Sequence, residues 1–353
     1  MIPILYEPSE TSFDHNGIGV LSDCLKCAVT CERNGSYTLN LEYPVKGNYA
    51  EYLLPNYIIK ALANDTDRPQ LFRVYAVNNT LRGTKAVKAN HISYDLIGRP
   101  VRPYSAASAA LALAGIESNA VIPTGFTYET DIVSTTGYQI DTPRSARNIL
   151  GGSEGSLIDT YGGELYFDNF RVIWKTRIGE DNGVSIRYGK NLLSLDQELD
   201  SSYSCNGIFP FWYRENDGLV MPSAPSRIDW AYGFNHYSTV DMSSDFETMP
   251  TAAQLSTAAA ALVPTMLAPE QTIDVSFVAL HQLKEYETIA ALEKVALGDT
   301  VQVVYKVMTD RKKLDINIKT RVVKTEFNTL TEQYNSIELG TLKTTLADYI
   351  VKG

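Results

Sequence analysis

Apolar and polar residues alternate with a period of two over most of the first hundred positions, which is the pattern of half-buried β-strands. In the segment CLKCAVTCERNGSYTLNLEYP, two alternating runs flank Asn34 and Gly35, a pair that predicts a hairpin with a type I′ turn. The second run stops at Pro44, and its apolar face consists of Tyr37, Leu39, Leu41 and Tyr43. The segments NYIIKAL, LFRVYAV and TKAVKANHISYDL are further predicted strands, so residues 1–104 are expected to form an all-β unit of the barrel or sandwich type.

The pattern then changes to short helices separated by glycine pairs. Ser105 is the predicted N-cap of an Ala- and Leu-rich helix that runs to Ile116. Two more helices are predicted in DTPRSARNILGG and SEGSLIDTYGG, with N-caps at Thr142 and Ser153, and the glycine pair that closes each segment is expected to end the helix. Strands follow in ELYFDNFRVIW and DNGVSIRYG, which makes residues 105–190 a small α/β insert.

Strands return from residue 191 and alternate with two predicted helices. The segment SSYSCNGIFPFWYR is an aromatic strand, and the last three strands are DTVQVVYKV, KLDINIKTRVVKTEF and EQYNSIELG. Thr251 is expected to cap a helix that Pro264 ends, and LHQLKEYETIAALEKV is a predicted amphipathic helix.

Two distant stretches share the same order of features. In LPNYIIKAL…FRVYAV…AVKANHISYDL and in LGDTVQVVY…TRVVKTEF…EQYNSIELG, a turn opens a strand, an Arg-Val strand follows, and a last strand ends in Ser-x-x-Leu. Arg73-Val74 would correspond to Arg321-Val322. This order predicts a duplicated β unit, although two unrelated small barrels would also fit the periodicity.

Charge and hydropathy argue against two classes of function. The formal net charge of -10 disfavours a nucleic-acid binder, which would present a basic face. The N-terminal MIPILYEPSE lacks the basic and apolar regions of a signal peptide, and no apolar run approaches the roughly 18–20 residues of a membrane span. We therefore expect the protein to be made and folded in a cytoplasm.

The glycine-rich segment GGSEGS lacks the surroundings of a phosphate loop. It follows a predicted helix rather than a strand, carries Glu154 where an anion would bind, and contains no Gly-Lys-Ser/Thr sequence. No histidine has metal-ligand spacing, so all four are interpreted as structural or surface residues: His15, His91, His236 and His281. The C-x2-C-x3-C run lacks completing ligands, so four buried thiols are expected: Cys24, Cys27, Cys31 and Cys205.

No set of residues stands out as an active site, and we predict no catalytic, cofactor-binding or metal-binding residues. Two other classes of function stay open. Scattered carboxylates would serve a peptidoglycan- or glycan-cleaving hydrolase if they paired: Asp159, Glu164 and Asp168. Aromatic residues expected at the surface would suit a saccharide-binding module: Trp212, Trp230 and Tyr232.

Several segments resemble the structural N-terminal region of prophage endopeptidase tail proteins, also called tail-associated lysins: ERNGSYTLNLEYP, HISYDLIGRPV, ARNILGGSEGSLIDTYGGELYFDNFRV and DNGVSIRYGKNL. The resemblance extends from the first residues to about Leu339. The family is in turn similar to the baseplate hub proteins of contractile-tailed phages.

The resemblance implies a mainly β, α+β protein with two related β-barrel domains, an α/β insert and additional helices. It also implies a homotrimeric tail-tip hub that closes the tail tube. The distal tail, tail tube and tape-measure proteins would be its neighbours in the virion, and the segment Ile208 to Tyr213 would face a neighbouring subunit.

The expected domains are a first barrel at residues 1–104, the insert at 105–190, and a second barrel at 191–345. The second barrel would carry a helical insertion at about residues 246–296, and residues 346–353 would be a tail. Many relatives continue beyond this region into a peptidase, lysin or receptor-binding extension, and this chain is either a short natural hub or a truncated one. Because no catalytic motif lies in its residues, we expect a non-enzymatic protein.

Overall fold

A computed structural model describes residues 1–187, 192–200, 205–215, 217–227, 236–243, 245–246, 248–267, 270–277, 295–308 and 313–340. The chain divides into two compact units. The first combines Met1–Leu195 with Asp274–Gly340, and the second contains Asp196–Ile273. The domain boundaries expected from the sequence are not the boundaries of these two units, which are defined by contacts within the chain. The expected boundaries stay a prediction.

Both ends of the first unit are built from strands. The N-terminal strands are β1 (Ile4–Tyr6), β2 (Gly19–Val20), β3 (Lys26–Glu32), β4 (Tyr37–Pro44), β5 (Ile58–Ala61), β6 (Gln70–Asn79) and β7 (Thr84–His91). Two short 3₁₀ helices lie among them, at Ala50–Tyr52 and Ile92–Gly98.

The middle of the first unit is the insert, which mixes short strands and helices. Its strands are β8 (Pro100–Val101), β9 (Tyr104–Ala106), β10 (Thr127–Thr130), β11 (Tyr138–Ile140), β12 (Arg144–Ser145), β13 (Glu164–Asp168), β14 (Arg171–Lys175) and β15 (Val184–Arg187). Its helices are α1 (Ala109–Ser118), α2 (Ala146–Leu150) and α3 (Leu157–Tyr161).

The remaining elements follow in chain order. They are β16 (Leu192–Asp200), β17 (Gly207–Arg214), β18 (Gly218–Val220), β19 (Ser226–Arg227), β20 (Tyr237–Asp241), α4 (Ala252–Leu267), β21 (Glu270–Phe277), β22 (Thr300–Met308), β23 (Lys313–Asn328) and β24 (Gln333–Gly340). The chain is mainly β, as expected. The described strands do not close into a barrel, so two barrels per chain stay a prediction.

One large sheet organises the first unit, with the strand order β24-β23-β3-β4-β7-β6-β5-β1-β2. Its central joint is β23, a strand of 16 residues that changes partners along its length. The first half pairs with β22, and the second half lies between β24 and β3. Phe327 is fully buried at this joint, opposite Val29 of β3 and edge-to-face with Tyr334 of β24. Strands from opposite ends of the chain are therefore neighbours in one sheet.

The insert packs against this sheet through a continuous apolar core. Its own sheet has the order β10-β14-β13, and Trp174 on β14 is fully buried. The turn between β13 and β14 reaches the large sheet, because the Asn169 side chain accepts a hydrogen bond from the Leu71 amide and donates one to the Pro69 carbonyl. Asn169 and Phe170 form the tight turn between the paired residues Asp168 and Arg171, with Asn169 in the left-handed region at φ 52°.

The second unit has a small core of its own. Strand β17 pairs with β18, β19 and β20, and helix α4 packs on it. The core residues are Cys205, Ile208, Trp212, Met242, Leu255 and Ala259. Thr251 caps α4 as predicted, since its hydroxyl accepts from the Gln254 amide while the Gln254 side chain accepts from the Thr251 amide. The expectation that Pro264 ends the helix is wrong, because α4 continues to Leu267 and the proline lies in the last turn.

Three predicted N-caps in the insert are wrong by the same interval. The serines that cap α1, α2 and α3 are Ser108, Ser145 and Ser156, each three residues after the predicted cap. Ser105 instead pairs with Gln139 between β9 and β11, so a strand precedes the helix. Pairing between β12 and β8 likewise delays the start of α2, and a turn at residues 153–156 delays α3.

Two turn predictions also need correction. At the β3–β4 hairpin only Asn34 is left-handed, at φ 54°, so the loop is not a type I′ turn, which needs both central residues there. The segment ISYDL after β7 is a 3₁₀ helix rather than the end of a strand. The predicted amphipathic helix LHQLKEYETIAALEKV lies almost entirely outside the described residues.

We predict that Phe327→Ala lowers the free energy of unfolding by about 3–5 kcal/mol, because the side chain fills the joint of β23, β3 and β24. Urea denaturation followed by circular dichroism measures the change. The control is Leu81→Ala in the exposed β6–β7 turn, which is expected to change stability by less than about 0.5 kcal/mol. Equal effects of the two substitutions would contradict the central role of this joint.

Candidate functional site

Two arginines of the first unit lie on a strand opposite the first residue of the neighbouring strand, and each donates a hydrogen bond to a carbonyl of the turn before that strand. We call this arrangement an arginine corner. In the first corner, Arg73 of β6 lies opposite Ile58, the first residue of β5. The Arg73 Nη1 atom donates to the carbonyl of Asn56 at 2.9 Å. The backbone closes around it, since the Asn56 amide donates to the Val74 carbonyl and the Val74 amide to the Tyr57 carbonyl, both at 2.8 Å.

The second corner repeats this geometry at β22 and β23. Arg321 lies opposite Thr300, the first residue of β22, and its Nε atom donates to the Gly298 carbonyl at 3.0 Å. The Gly298 amide donates to the Val322 carbonyl and the Val322 amide to the Asp299 carbonyl, both at 2.9 Å. The correspondence of Arg73-Val74 with Arg321-Val322 is therefore confirmed by hydrogen bonding and register.

Two further details support the duplication. Asn56 and Gly298 occupy equivalent positions and are both left-handed, at φ 75° and 88°. A β-bulge follows each arginine, between Val74 and Ala76 in β6 and between Val322 and Lys324 in β23. A left-handed backbone favours glycine or asparagine, and a β-bulge needs one inserted residue in the strand, so both repeats meet the same two requirements. The two three-strand repeats, β5-β6-β7 and β22-β23-β24, thus share the same backbone geometry at the arginine.

Each corner arginine is neutralised by a different carboxylate. Arg73 forms a two-pronged ion pair with Asp95 of the 3₁₀ helix, with its Nη2 atom 2.7 Å from Oδ2. Arg321 pairs with both carboxylate oxygens of Glu164 on β13, at 2.6 and 2.8 Å. Arg33 at the end of β3 also approaches Glu164, at 3.2 Å. The second corner therefore ties the insert to two neighbouring strands of the large sheet, β3 and β23, which come from opposite ends of the chain.

The carboxylates considered for a hydrolase are held in structural contacts. Burial raises the pKa of Glu164, but hydrogen bonds from Arg321 and from the Ile178 amide outweigh it and leave the pKa lowered. Asp168 behaves alike, because hydrogen bonds from Arg68 and Gln70 overcome the effect of burial and lower its pKa. Asp159 accepts a hydrogen bond from the Gly155 amide at the start of α3. A general acid needs a raised pKa, whereas the pKa of Glu164 and that of Asp168 are both lowered.

His91 belongs to a buried network that joins the sheet to the insert. Its Nδ1 accepts from the Ser93 amide, so Nε2 carries the proton and donates to the Gln70 side chain at 3.1 Å. Gln70 accepts at the same oxygen from the Asn169 amide. The ring stacks on Tyr37 with centroids 4.2 Å apart. Burial, helped by the charge of Arg147, lowers the pKa of His91 to about 3.

The other candidate residues are dispersed. His15 lies near Glu10 at the surface, His236 is in the second unit, and His281 is outside the described residues. Burial is confirmed for Cys27 and Cys205, whereas Cys24 and Cys31 are partly exposed. In the described part of the chain no group of three or more His, Cys, Asp or Glu side chains is arranged to hold a metal ion.

The glycine-rich segment serves the backbone of the insert. Gly152 and Gly155 are left-handed, and Gly162 ends α3 at φ 70°. The Glu154 carbonyl accepts from Arg144, and the Gly155 carbonyl accepts from the Tyr138 hydroxyl. Gly152 confirms the predicted left-handed end of the second helix, although Gly151 is extended at φ -176°.

The aromatic residues of β17 are mostly internal. Trp212 is fully buried, and its indole Nε1 donates to the Phe246 carbonyl at 3.4 Å, so the expectation that it is exposed for a saccharide is wrong. Ile208 is also fully buried in the unit's own core, and Tyr213 is 52% exposed. Only part of the segment from Ile208 to Tyr213 is thus available to a neighbour. Trp230 and Tyr232 lie outside the described residues.

Two cavities of about 250 and about 320 Å³ lie between the insert and the large sheet. Cys31, Tyr37 and Tyr166 line both. In the first cavity the guanidinium of Arg147 is sandwiched between the rings of Tyr94 and Phe167, with 4.6 Å to each ring centroid. These volumes are at the lower limit for small-molecule sites, and the contacts of Arg147 join α2 to its neighbours.

Comparison with known proteins shows what this chain is similar to. Residues 180–350 match the family model described as prophage endopeptidase tail, which confirms the resemblance found in the sequence for that part of the chain. No curated protein has a sequence that matches this chain. Among the described residues, none of the helices is long and apolar enough to cross a membrane.

Three solved structures share the fold at low sequence identity. The prophage tail protein gp18 from Listeria monocytogenes is 16% identical, with a TM-score of 0.59 over 100% of this chain and 98% of that chain. The 43 kDa tail protein of prophage MuSo2 from Shewanella oneidensis is 12% identical, with a TM-score of 0.61 over 96% and 97%. A tail protein from Neisseria meningitidis is 9% identical, with a TM-score of 0.56 over 98% of each chain.

We predict that Arg321 and Glu164 are energetically coupled. Arg321→Met leaves a half-buried carboxylate with one ion-pair partner fewer, so a loss of about 1–3 kcal/mol in unfolding free energy is expected. A double-mutant cycle with Glu164→Gln measures the coupling. The exposed pair Lys319 and Asp181 is the control and should show almost no coupling, because solvent screens it. Independent effects at Arg321 and Glu164 would refute the prediction.

We also predict that His91 makes the fold sensitive to acid. The folded chain keeps this ring neutral down to about pH 3, whereas the unfolded chain binds a proton below its ordinary pKa of about 6.5. The stabilisation is thus complete above about pH 6.5 and is lost as the pH falls towards 3. The difference in unfolding free energy between the wild type and His91→Gln should shrink over this range in urea titrations. A difference independent of pH would contradict the prediction, because it would show that His91 has the same pKa in the folded and unfolded chain.

Proposed function

We propose that this chain is a structural protein of a prophage tail, located at the tail tip, where three copies form a hub ring that closes the distal end of the tail tube. The single observation that carries the proposal is the duplicated arginine corner. It supports two equivalent β units per chain, so three chains would present six units to a six-fold tube. The family match over residues 180–350 and the prophage tail proteins of the same fold support the same conclusion.

The proposed mechanism is geometric rather than catalytic. Ion pairs, left-handed turns and bulges hold the strands in fixed relative positions, and the strand edges provide the contacts of a ring. The distal tail protein, the tail tube and the tape-measure protein would be the neighbours of this ring. Assembly in the bacterial cytoplasm would precede release of the virion. The alternative of a cell-wall hydrolase is less favoured, because Asp159, Glu164 and Asp168 are each engaged in structural contacts.

Gold-labelled antibodies against the chain test its location in particles released after prophage induction. We expect label at one end of the tail, and no label on particles from a strain in which this gene is deleted. Label distributed along the tail, or absent from particles while the chain accumulates in the cell, would refute the proposal.

Incubation of the purified chain with peptidoglycan tests the alternative. We expect no released fragments by mass spectrometry, because the carboxylates are committed to structural partners. Fragments released by the wild type but not by Asp159→Asn would establish the hydrolase, and the tail-tip role would then be at most one of two functions.

A further inference from the structure

The two three-strand repeats, β5-β6-β7 and β22-β23-β24, differ in one respect. It is whether a further strand pairs with the part of β6 or β23 that comes after the arginine. In the repeat β22-β23-β24, residues 324–328 of β23 pair antiparallel with residues 28–32 of β3. The Val323 carbonyl, within the bulge, accepts from the Arg33 amide at 2.9 Å. One edge of β23 is therefore closed by β3, while the other edge pairs with β24.

The equivalent residues of β6 are 75–79, and one of their edges is bare in the described part of the chain. The Thr80 amide bonds to the Thr84 carbonyl across the β6–β7 turn, so by alternation Ala76 and Asn78 face β7. The backbone groups of Val77 and Asn79 then face the opposite side. Strand β5 does not reach them, because its first residue, Ile58, lies opposite Arg73. The two residues before β5, Asn56 and Tyr57, form backbone hydrogen bonds with Val74 and with no later residue of β6.

This edge lacks the features that usually prevent strands from pairing with other chains. Residues 75–79 are Tyr-Ala-Val-Asn-Asn, with no proline and no charge. Tyr75 is 53% exposed at the start of the edge. A protein that leaves five such residues open has an edge suited to accepting another strand.

The order of strands in the sheet identifies that strand. Strands β16 and β21, through which the chain leaves and re-enters the first unit, precede β24 in the order β16-β21-β24-β23. This order repeats β3-β4-β7-β6. Strand β16 therefore occupies the position of β3, and in the described residues it pairs on one side only.

We propose that β16 of one copy of this chain pairs antiparallel with residues 75–79 of β6 in the next copy, as β3 pairs with β23 within the chain. The contact joins two different surfaces, so it propagates head to tail and closes into a ring when the rotation permits. The proposal rests on the proposed hub ring and adds the backbone edges that build it.

Proline substitutions on the bare edge test the contact in the full chain. Val77→Pro and Asn79→Pro each remove an outward-facing amide, which an edge strand tolerates, and place a ring where the incoming strand would lie. Val133→Pro, at a loop residue that is 96% exposed, is the matched control. Sedimentation velocity over a range of concentrations measures association, and circular dichroism and thermal unfolding verify the fold.

We expect the wild type and Val133→Pro to form the same ring, and both edge variants to associate at least about tenfold more weakly. Hydrogen exchange of the wild type should show the amides of Val77 and Asn79 protected in the ring and open in the monomer. This measurement decides the question if a proline variant fails to fold. Edge variants that assemble like the wild type, with these amides unprotected, overturn the proposed contact and leave the ring intact. A wild type that never associates overturns both the contact and the ring, whereas the location of the chain in the virion is tested separately.

Discussion

The pairing of β23 with β3 is the constraint on which the rest of the first unit depends. It joins a strand near the C-terminal end to one near the N-terminal end, and the insert between them must fit the space that remains. Closing so long a loop costs conformational entropy, which the buried apolar residues of the joint offset. The bulge after Arg321 lets one strand serve two partners, because the extra residue turns the backbone between its two halves.

The two arginine corners show how one backbone design is adapted to two surroundings. The backbone hydrogen bonds, the register and the bulge are the same, but the carboxylate comes from a different element in each case. Asp95 lies in the 3₁₀ helix that directly follows β7, whereas Glu164 belongs to the insert. A guanidinium with several donors suits this task, since it can bind a carboxylate and a backbone carbonyl together. The second corner thereby fixes the insert on the sheet, and the first leaves its neighbouring edge open.

The described polar residues are used to connect elements. Gln70, His91 and Asn169 form a buried network in which each side chain has partners from another element. A buried network of this kind specifies one arrangement of sheet and insert, because a shifted arrangement would leave polar groups unpaired.

The sequence by itself determined the local elements and the duplication. Alternation identifies most strands, and the face of Tyr37, Leu39 and Leu41 is buried as its period requires. The shared order of features along the sequence also pairs Arg73-Val74 with Arg321-Val322. Helix starts were less well predicted, because strand pairing at residues such as Ser105 overrides the local preference of serine for an N-cap.

Only the tertiary structure decided which strands are neighbours. No local pattern shows that β3 pairs with β23, that Glu164 neutralises Arg321, or that Trp212 is buried rather than exposed. Alternation reports that one face of a strand is buried, but it carries no information about which chain segment covers an edge. That choice depends on backbone hydrogen bonds between distant residues, which are chemically the same for every sequence and are assigned only by the packing of the whole unit.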